Sequence, residues 1–148
     1  MFRVTVFNKE GINQISRQSN SKVYNMSTEG SESLDDILRK LISSLPEVRG
    51  AAIVSVEGLP ISSALPNNVD ETRVAAMTAA MLSLGERAAQ EFEKGELEQL
   101  YVGGRDGYVL VVGAGPNAVL TVSAGRNVKL GLVLLECKRA CEKILNLI

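Results

Sequence analysis

The stretch GAAIVSVEGLPISS, residues 50–63, carries the clearest fold signal in this 148-residue chain. Ala51–Val56 is apolar and rich in β-branched residues, which predicts a buried strand. Glu57-Gly58 predicts a tight turn, and Leu59–Leu65 predicts the antiparallel partner strand. Because Pro60 has no backbone N–H, that partner is expected at a sheet edge. The stretch therefore predicts a β-hairpin around which the domain is built.

One helix is predicted on each side of this hairpin. Before it, apolar residues from Leu34 to Leu45 recur at helical spacing, and Ser33 with Asp36 forms a capping-box pattern. After it, Asn68 and Glu71 predict a second capping box. The helix that they open is expected to run to about Lys94, where Gly95 ends it.

Three strands and a third helix are predicted after Gly95. The strands are Leu97–Val102, Tyr108–Val112 and Ala118–Ser123, and Tyr108–Val112 is expected in the centre of the sheet because it is apolar on both sides. The third helix is expected to begin near Asn127. Its predicted buried stripe, which includes two reduced thiols, comprises Leu130, Val133, Leu134, Cys137, Cys141, Ile144 and Ile148. The order α-β-β-α-β-β-β-α predicts the α+β class, with helices on both faces of an antiparallel sheet.

The second helix is apolar on more than one face. One stripe contains Val74, Met77, Met81, Leu84, Ala88 and Phe92, and a second, small and uncharged stripe contains Ala76, Ala80 and Ser83. The sheet of so small a domain covers only one face of a helix. We therefore expect one stripe to pack on the sheet and the small stripe to meet a second copy of the chain. An intramolecular fit of the small stripe against another helix is the alternative.

The composition excludes several classes of function. The chain has no histidine, so it cannot form a Ser-His-Asp triad, a Cys-His pair or an H-E-x-x-H metal helix. Its 16 basic and 17 acidic residues and its 4% aromatic content argue against nucleic-acid binding. No apolar run reaches the ~20 residues that span a bilayer. We expect a cytoplasmic protein without membrane insertion, catalytic residues, metal or cofactor.

The glycines of Gly113-Ala114-Gly115 superficially match a dinucleotide-binding G-x-G-x-x-A motif. That motif requires a helix to begin at the glycines, so that its N-terminus faces the pyrophosphate. Val119–Val122 instead alternates like a strand, so a hairpin turn is predicted here. The sequence G-x-x-x-x-G-K-[ST] does not occur, so the chain is not itself a P-loop GTPase.

Residues 1–33 differ in composition from residues 34–148. Phe2–Phe7 alternates like a short strand, but the residues that follow are mostly polar, which is typical of an extension outside the folded domain. A strand that docks on the domain, or a leader that precedes a natural start at Met26, are the alternatives. The folded domain is predicted to comprise residues 34–148.

Two of these segments resemble the roadblock/dynein light chain family. Gly50–Ser63 is similar to the family's first hairpin, with a strand that ends in Ser-x-Glu-Gly and resumes at Leu-Pro-Ile, and Asn127–Val133 is similar to its third-helix entry. The resemblance covers Leu34 to Ile148. It implies a five-stranded antiparallel sheet of the profilin-like or roadblock fold, with the first and third helices on one face and the second on the other. It also implies that Gly131 lets the third helix lie close to the sheet.

The resemblance further implies a homodimer that pairs through the second helix and the third strand. Such dimers are platforms for Ras-like small GTPases, so the chain is expected to modulate a GTPase's nucleotide cycle without being an enzyme. A structural component of the dynein light chain kind, or a small-ligand sensor that uses Gly113–Gly115, are the alternatives. The expected dimer interface comprises Val74, Met77, Ala80, Met81, Leu84, Leu100 and Val102. The expected GTPase contacts are Arg73, Arg87 and Gln90.

Overall fold

A computed structural model describes residues 31–148, in which helices and strands follow the predicted order. The possible strand at residues 2–7 lies outside the described residues, as does the predicted extension up to residue 30. The elements are α1 (Leu34–Ser44), β1 (Val48–Ser55), β2 (Pro60–Ala64), α2 (Glu71–Glu91), β3 (Gln99–Gly104), β4 (Gly107–Gly113), β5 (Ala118–Gly125) and α3 (Leu130–Leu147).

The five strands form one antiparallel sheet in the order β2-β1-β5-β4-β3. The hairpin of β1 and β2 is confirmed, and β2 lies at an edge, as Pro60 predicts. The expectation that Tyr108–Val112 is the central strand is wrong, because β5 pairs with both β1 and β4 and takes the central place. Since β4 has the sheet's two helical layers above and below it, most of its side chains are nonetheless buried.

The main core lies between the sheet and the layer formed by α1 and α3. Leu38, Ile53, Leu120 and Ile144 are fully buried there. The predicted capping box at α1 is confirmed: the backbone N of Asp36 donates to Ser33 Oγ at 3.1 Å, and the backbone N of Ser33 donates to Asp36 Oδ2 at 3.0 Å. The hydrogen bond from the backbone N–H of Ser33, which is the largest cause, and the Ser33 hydroxyl hold the pKa of the Asp36 carboxyl below its ordinary value.

Three expectations for α3 are wrong. The helix begins at Leu130, three residues after Asn127, and Leu130 itself is 38% exposed rather than part of the buried stripe. Gly131 does not bring α3 close to the sheet, because a Cβ added there would have no heavy atom within 4 Å. The helix approaches the sheet further along, through Val133 and Cys137.

The strand β3 extends two residues beyond its predicted end, through Gly103 and Gly104. The ring of Tyr101 lies over Gly103, where an added Cβ would be 2.8 Å from Tyr101 Cε1. Gly104 pairs with Gly107, so only Arg105 and Asp106 form the turn. Gly107 has a φ of 154°, which an L side chain rarely adopts. The predicted turn at 103–107 is therefore shorter than the cluster of glycines indicates.

Candidate interface of α2 and β3

The α2 helix is capped by Asp70, not by the predicted box of Asn68 and Glu71. The Asp70 carboxylate accepts hydrogen bonds from the backbone N of Thr72 at 2.9 Å and of Arg73 at 3.4 Å, which satisfies two N–H groups of the first turn. Glu71 instead accepts a hydrogen bond from the hydroxyl of Ser63 in β2. The start of α2 is thereby fixed beside the edge strand β2.

The sheet is contacted by a third row of α2, which neither predicted stripe contains. Ala75, Thr78 and Leu82 are buried, and Ala75 packs with Ala52 and Val54 of β1 while Leu82 packs with Val111 and Val119. Because two of these three side chains are small, the helix lies close to the strands. The expectation that one of the two predicted stripes packs on the sheet is therefore wrong for most of its residues, since only Val74 and Met81 of the first stripe pack beside this row.

Most of the apolar stripe of α2 is consequently exposed. Met77 is 50% exposed, Leu84 is 69% exposed and Phe92, the C-cap, is 72% exposed. Met81 is half-buried and packs against Leu100 and Val109. This contact places the stripe on the flank of α2 that faces β4 and β3. The opposite flank, at Ala76 and Ala79, lies beside the β1–β2 turn at Gly58.

A groove of about 220 Å³ runs between this flank and the sheet. Val74, Met77 and Met81 form one wall, and Val109, Thr121 and Ser123 belong to the sheet surface below them. The loop that leads from β2 into α2 closes one end with Leu65, Pro66 and Val69. None of the lining residues is charged. An open, uncharged groove beside an exposed apolar stripe is typical of a surface that a protein partner covers.

The strand β3 continues this surface to the edge of the sheet. Leu100 pairs with Val111 and Val102 pairs with Val109, so both side chains lie on the α2 face. Val102 is 43% exposed. In the described part of the chain, β3 pairs with β4 alone, and its outer backbone groups face solvent. An exposed apolar edge of this kind readily pairs with another strand.

The structure brings together the residues predicted for a dimer interface. Val74, Met77, Met81 and Leu84 share one flank, Ala80 is exposed next to them, and Leu100 and Val102 continue the surface onto β3. Sequence reasoning missed the groove residues Leu65, Val69, Val109, Thr121 and Ser123. The groove joins residues that are far apart in the chain, so the sequence pattern does not reveal it. The one signal in the sequence is an apolar residue, Val69, directly before the helix cap Asp70.

The residues predicted for GTPase contact do not form one cluster. Arg73, Arg87 and Gln90 are all exposed. At 100° per residue, Arg73 and Arg87 lie near one line on the outer side of α2, while Gln90 lies toward the flank away from the groove. The two arginines are about 21 Å apart along the helix, from a rise of 1.5 Å per residue.

The glycine motif forms a hairpin turn, as predicted, rather than a dinucleotide site. The backbone N of Ala114 donates to the carbonyl of Ala118 at 2.9 Å, and Gly115 has a φ of 85°. The strand β5 follows this turn directly. Among residues 31–148, no three His, Cys, Asp or Glu side chains are grouped as metal ligands.

None of the helices in residues 31–148 is both long and apolar enough to cross a membrane.

A family model and a sequence relative match most of the folded domain. The roadblock/LC7 domain model matches residues 34–124. An uncharacterised protein of Methanocaldococcus jannaschii is 39% identical over 111 residues, which are 75% of this chain and 96% of the relative.

Solved structures share the fold. A roadblock/LC7 domain from Streptomyces avermitilis superposes with a TM-score of 0.71 at 24% identity, over 76% of this chain and 95% of that one. MglB of Myxococcus xanthus gives a TM-score of 0.70 at 24% identity, over 76% and 85%. The hairpin and the sheet order agree with this match over residues 34–124, and the chain belongs to the roadblock/LC7 domain family.

Proposed function

We propose that this chain is a homodimeric, non-enzymatic scaffold that binds a Ras-like small GTPase and modulates its nucleotide cycle. The homodimer forms through α2 and β3, so that two sheets join into one. The observation that carries this proposal is the continuous uncharged surface of the α2 stripe, the groove and the β3 edge.

The chemistry of this surface supports a second copy as its occupant. A strand edge is satisfied by another strand, and the same β3 of a second copy supplies one in antiparallel orientation. Pairing there also brings the two α2 stripes together on one face of the joined sheet. Both the backbone groups of β3 and the side chains of Met77 and Leu84 are then covered at once.

The GTPase part of the proposal rests on family membership and on the outer side of α2. Once two copies pair along the groove flank, the outer side of α2 with Arg73 and Arg87 stays accessible in each copy. These arginines are the proposed contacts with the GTPase, together with Gln90. A regulator of this kind acts by ordering the switch loops of the GTPase rather than by supplying its own catalytic group.

The GTPase proposal is tested by measuring binding of Ras-like GTPases from the same genome, loaded with GDP or with a non-hydrolysable GTP analogue. We expect one GTPase to bind with different affinities in the two states. Reversing the charge of Arg73 and Arg87 to glutamate is expected to weaken that binding at least tenfold, whereas Lys138→Gln, at an exposed position of α3 on the opposite face of the sheet, leaves it unchanged. Equal affinity in both states, or no binding to any GTPase, contradicts the proposal and favours a purely structural role.

A further inference from the structure

Phe92 is the most exposed large apolar side chain at the C-terminal end of the α2 stripe. It is 72% exposed, while Val74 at the other end of the stripe lines the groove. The two residues are 18 positions apart, which corresponds to about 27 Å along the helix. Phe92 therefore cannot reach the groove of its own chain.

The groove has the size and polarity to accept an aromatic ring. Its volume is about 220 Å³ and its lining is uncharged. For comparison, apolar cavities of about 150 Å³ hold benzene. A charged or strongly hydrated side chain would lose its hydration in this groove without gaining an ionic partner.

The spacing of the α2 stripe is symmetric about its middle. Val74 and Phe92, Met77 and Ala88, and Met81 and Leu84 all have their midpoints near position 83. Two such helices in antiparallel orientation therefore place each member of a pair opposite the other member in the second copy. This arrangement needs a two-fold axis at the middle of the stripe.

The same axis suits the strand β3. A Cβ added to Gly85 would be 3.3 Å from Leu100 Cδ1, so the middle of the stripe lies directly over β3. One two-fold axis can thus relate both the helix pair and the strand pair. The C-terminal end of α2 then lies over the sheet of the second copy.

We propose that Phe92 of each copy inserts into the groove of the other, where it contacts Val74 and Met77. This inference rests on the homodimer of the proposed function and adds its helix register and a specificity residue. Each dimer contains two such insertions. A related chain pairs with this one only if it carries a large apolar side chain at the position of Phe92.

Disulfide trapping tests this register directly. In the full chain, we would introduce Val74→Cys with Phe92→Cys and, as a matched control, Ala76→Cys with Phe92→Cys, since Ala76 is exposed on the opposite flank. The native Cys137 and Cys141 are buried and give no background. Because residues 74 and 92 of one chain are about 27 Å apart, any disulfide between them joins two copies.

After mild oxidation, we expect most of the Val74→Cys, Phe92→Cys variant to run as a covalent dimer on non-reducing gels. We expect the control variant to run at the mass of a single chain. We also expect Phe92→Ala to weaken dimerisation at least tenfold without lowering the melting temperature of the separated chains. If the wild type is dimeric, but the Val74→Cys, Phe92→Cys variant does not cross-link and Phe92→Ala leaves dimerisation unchanged, the inserted phenylalanine is refuted and the homodimer stands. A monomeric wild type refutes both.

Discussion

Cys137 and Cys141 lie one helical turn apart on the buried side of α3, against the sheet. Both are free thiols, as their spacing predicts. Burial, the largest cause, raises the pKa of each thiol from 9.0 to about 12. Because a thiolate is the reactive form, this environment makes both side chains inert packing groups.

This pKa shift predicts a loss of stability at alkaline pH. Above pH 9 the folded chain keeps the two thiol protons, whereas the unfolded chain releases them. The contribution of the two thiols to the free energy of unfolding is therefore complete below about pH 9 and is lost as the pH rises toward 12. Between about pH 8.5 and about pH 11, the free energy of unfolding measured with urea should therefore fall more steeply for the wild type than for the Cys137→Ala, Cys141→Ala double variant. Parallel pH profiles for the two proteins would contradict this assignment.

A second prediction concerns the cap of α1. Ser33→Ala removes the side-chain acceptor of the Asp36 N–H, and we expect it to lower the free energy of unfolding by about 1 kcal/mol. The matched control is Ser43→Ala, whose exposed hydroxyl only donates to the carbonyl of Lys40 within the same helix. Equal urea midpoints for the two variants would show that the capping box does not stabilise the fold.

The α2 helix is the element whose orientation decides which surface is available. Its buried row contributes only Ala75, Thr78 and Leu82 to the core, so the helix is held by a narrow contact. Its apolar stripe lies about a quarter turn away, and most of the stripe stays exposed. An element with more apolar surface than its own domain covers is expected to be completed by association.

Two leucines of α2 separate packing from association. In a variant of the chain that does not dimerise, Leu82→Ala should lower the free energy of unfolding by about 3 kcal/mol, because a fully buried leucine side chain is truncated. Leu84→Ala should change it by less than about 0.5 kcal/mol. Urea unfolding of both variants measures the difference. A similar loss for both would mean that the helix is rotated from its described position.

The sequence predicted the hairpin, the edge position of β2 and the cap of α1 because each depends on residues close together in the chain. It did not predict which row of α2 is buried, because three neighbouring rows of that helix are all small or apolar and periodicity does not rank them. The groove was also unpredicted, since Leu65, Val109 and Ser123 meet only after the sheet has formed. The same holds at Gly131. The segment around it resembles the family's third-helix entry, but the helix does not lie close to the sheet at this residue.

At the scale of the whole molecule, the two faces of the sheet differ. The face under α1 and α3 encloses the main core, whereas the α2 face is covered along one diagonal and is open at the groove. The two edges differ as well, since β2 is short and begins with Pro60, while β3 carries exposed Val102. Association is therefore expected at the α2 face and the β3 edge, which meet.

We expect the groove flank of α2 and the edge of β3 to form the interface between two copies of the chain. Light scattering of the purified chain measures it most directly, with Met77→Glu on the groove flank and Ser83→Glu on the opposite flank as matched variants. We expect the wild type and Ser83→Glu to have twice the 15.9 kDa mass of one chain and Met77→Glu to be folded and monomeric. A monomeric wild type, or a Met77→Glu variant that stays dimeric, would contradict the account.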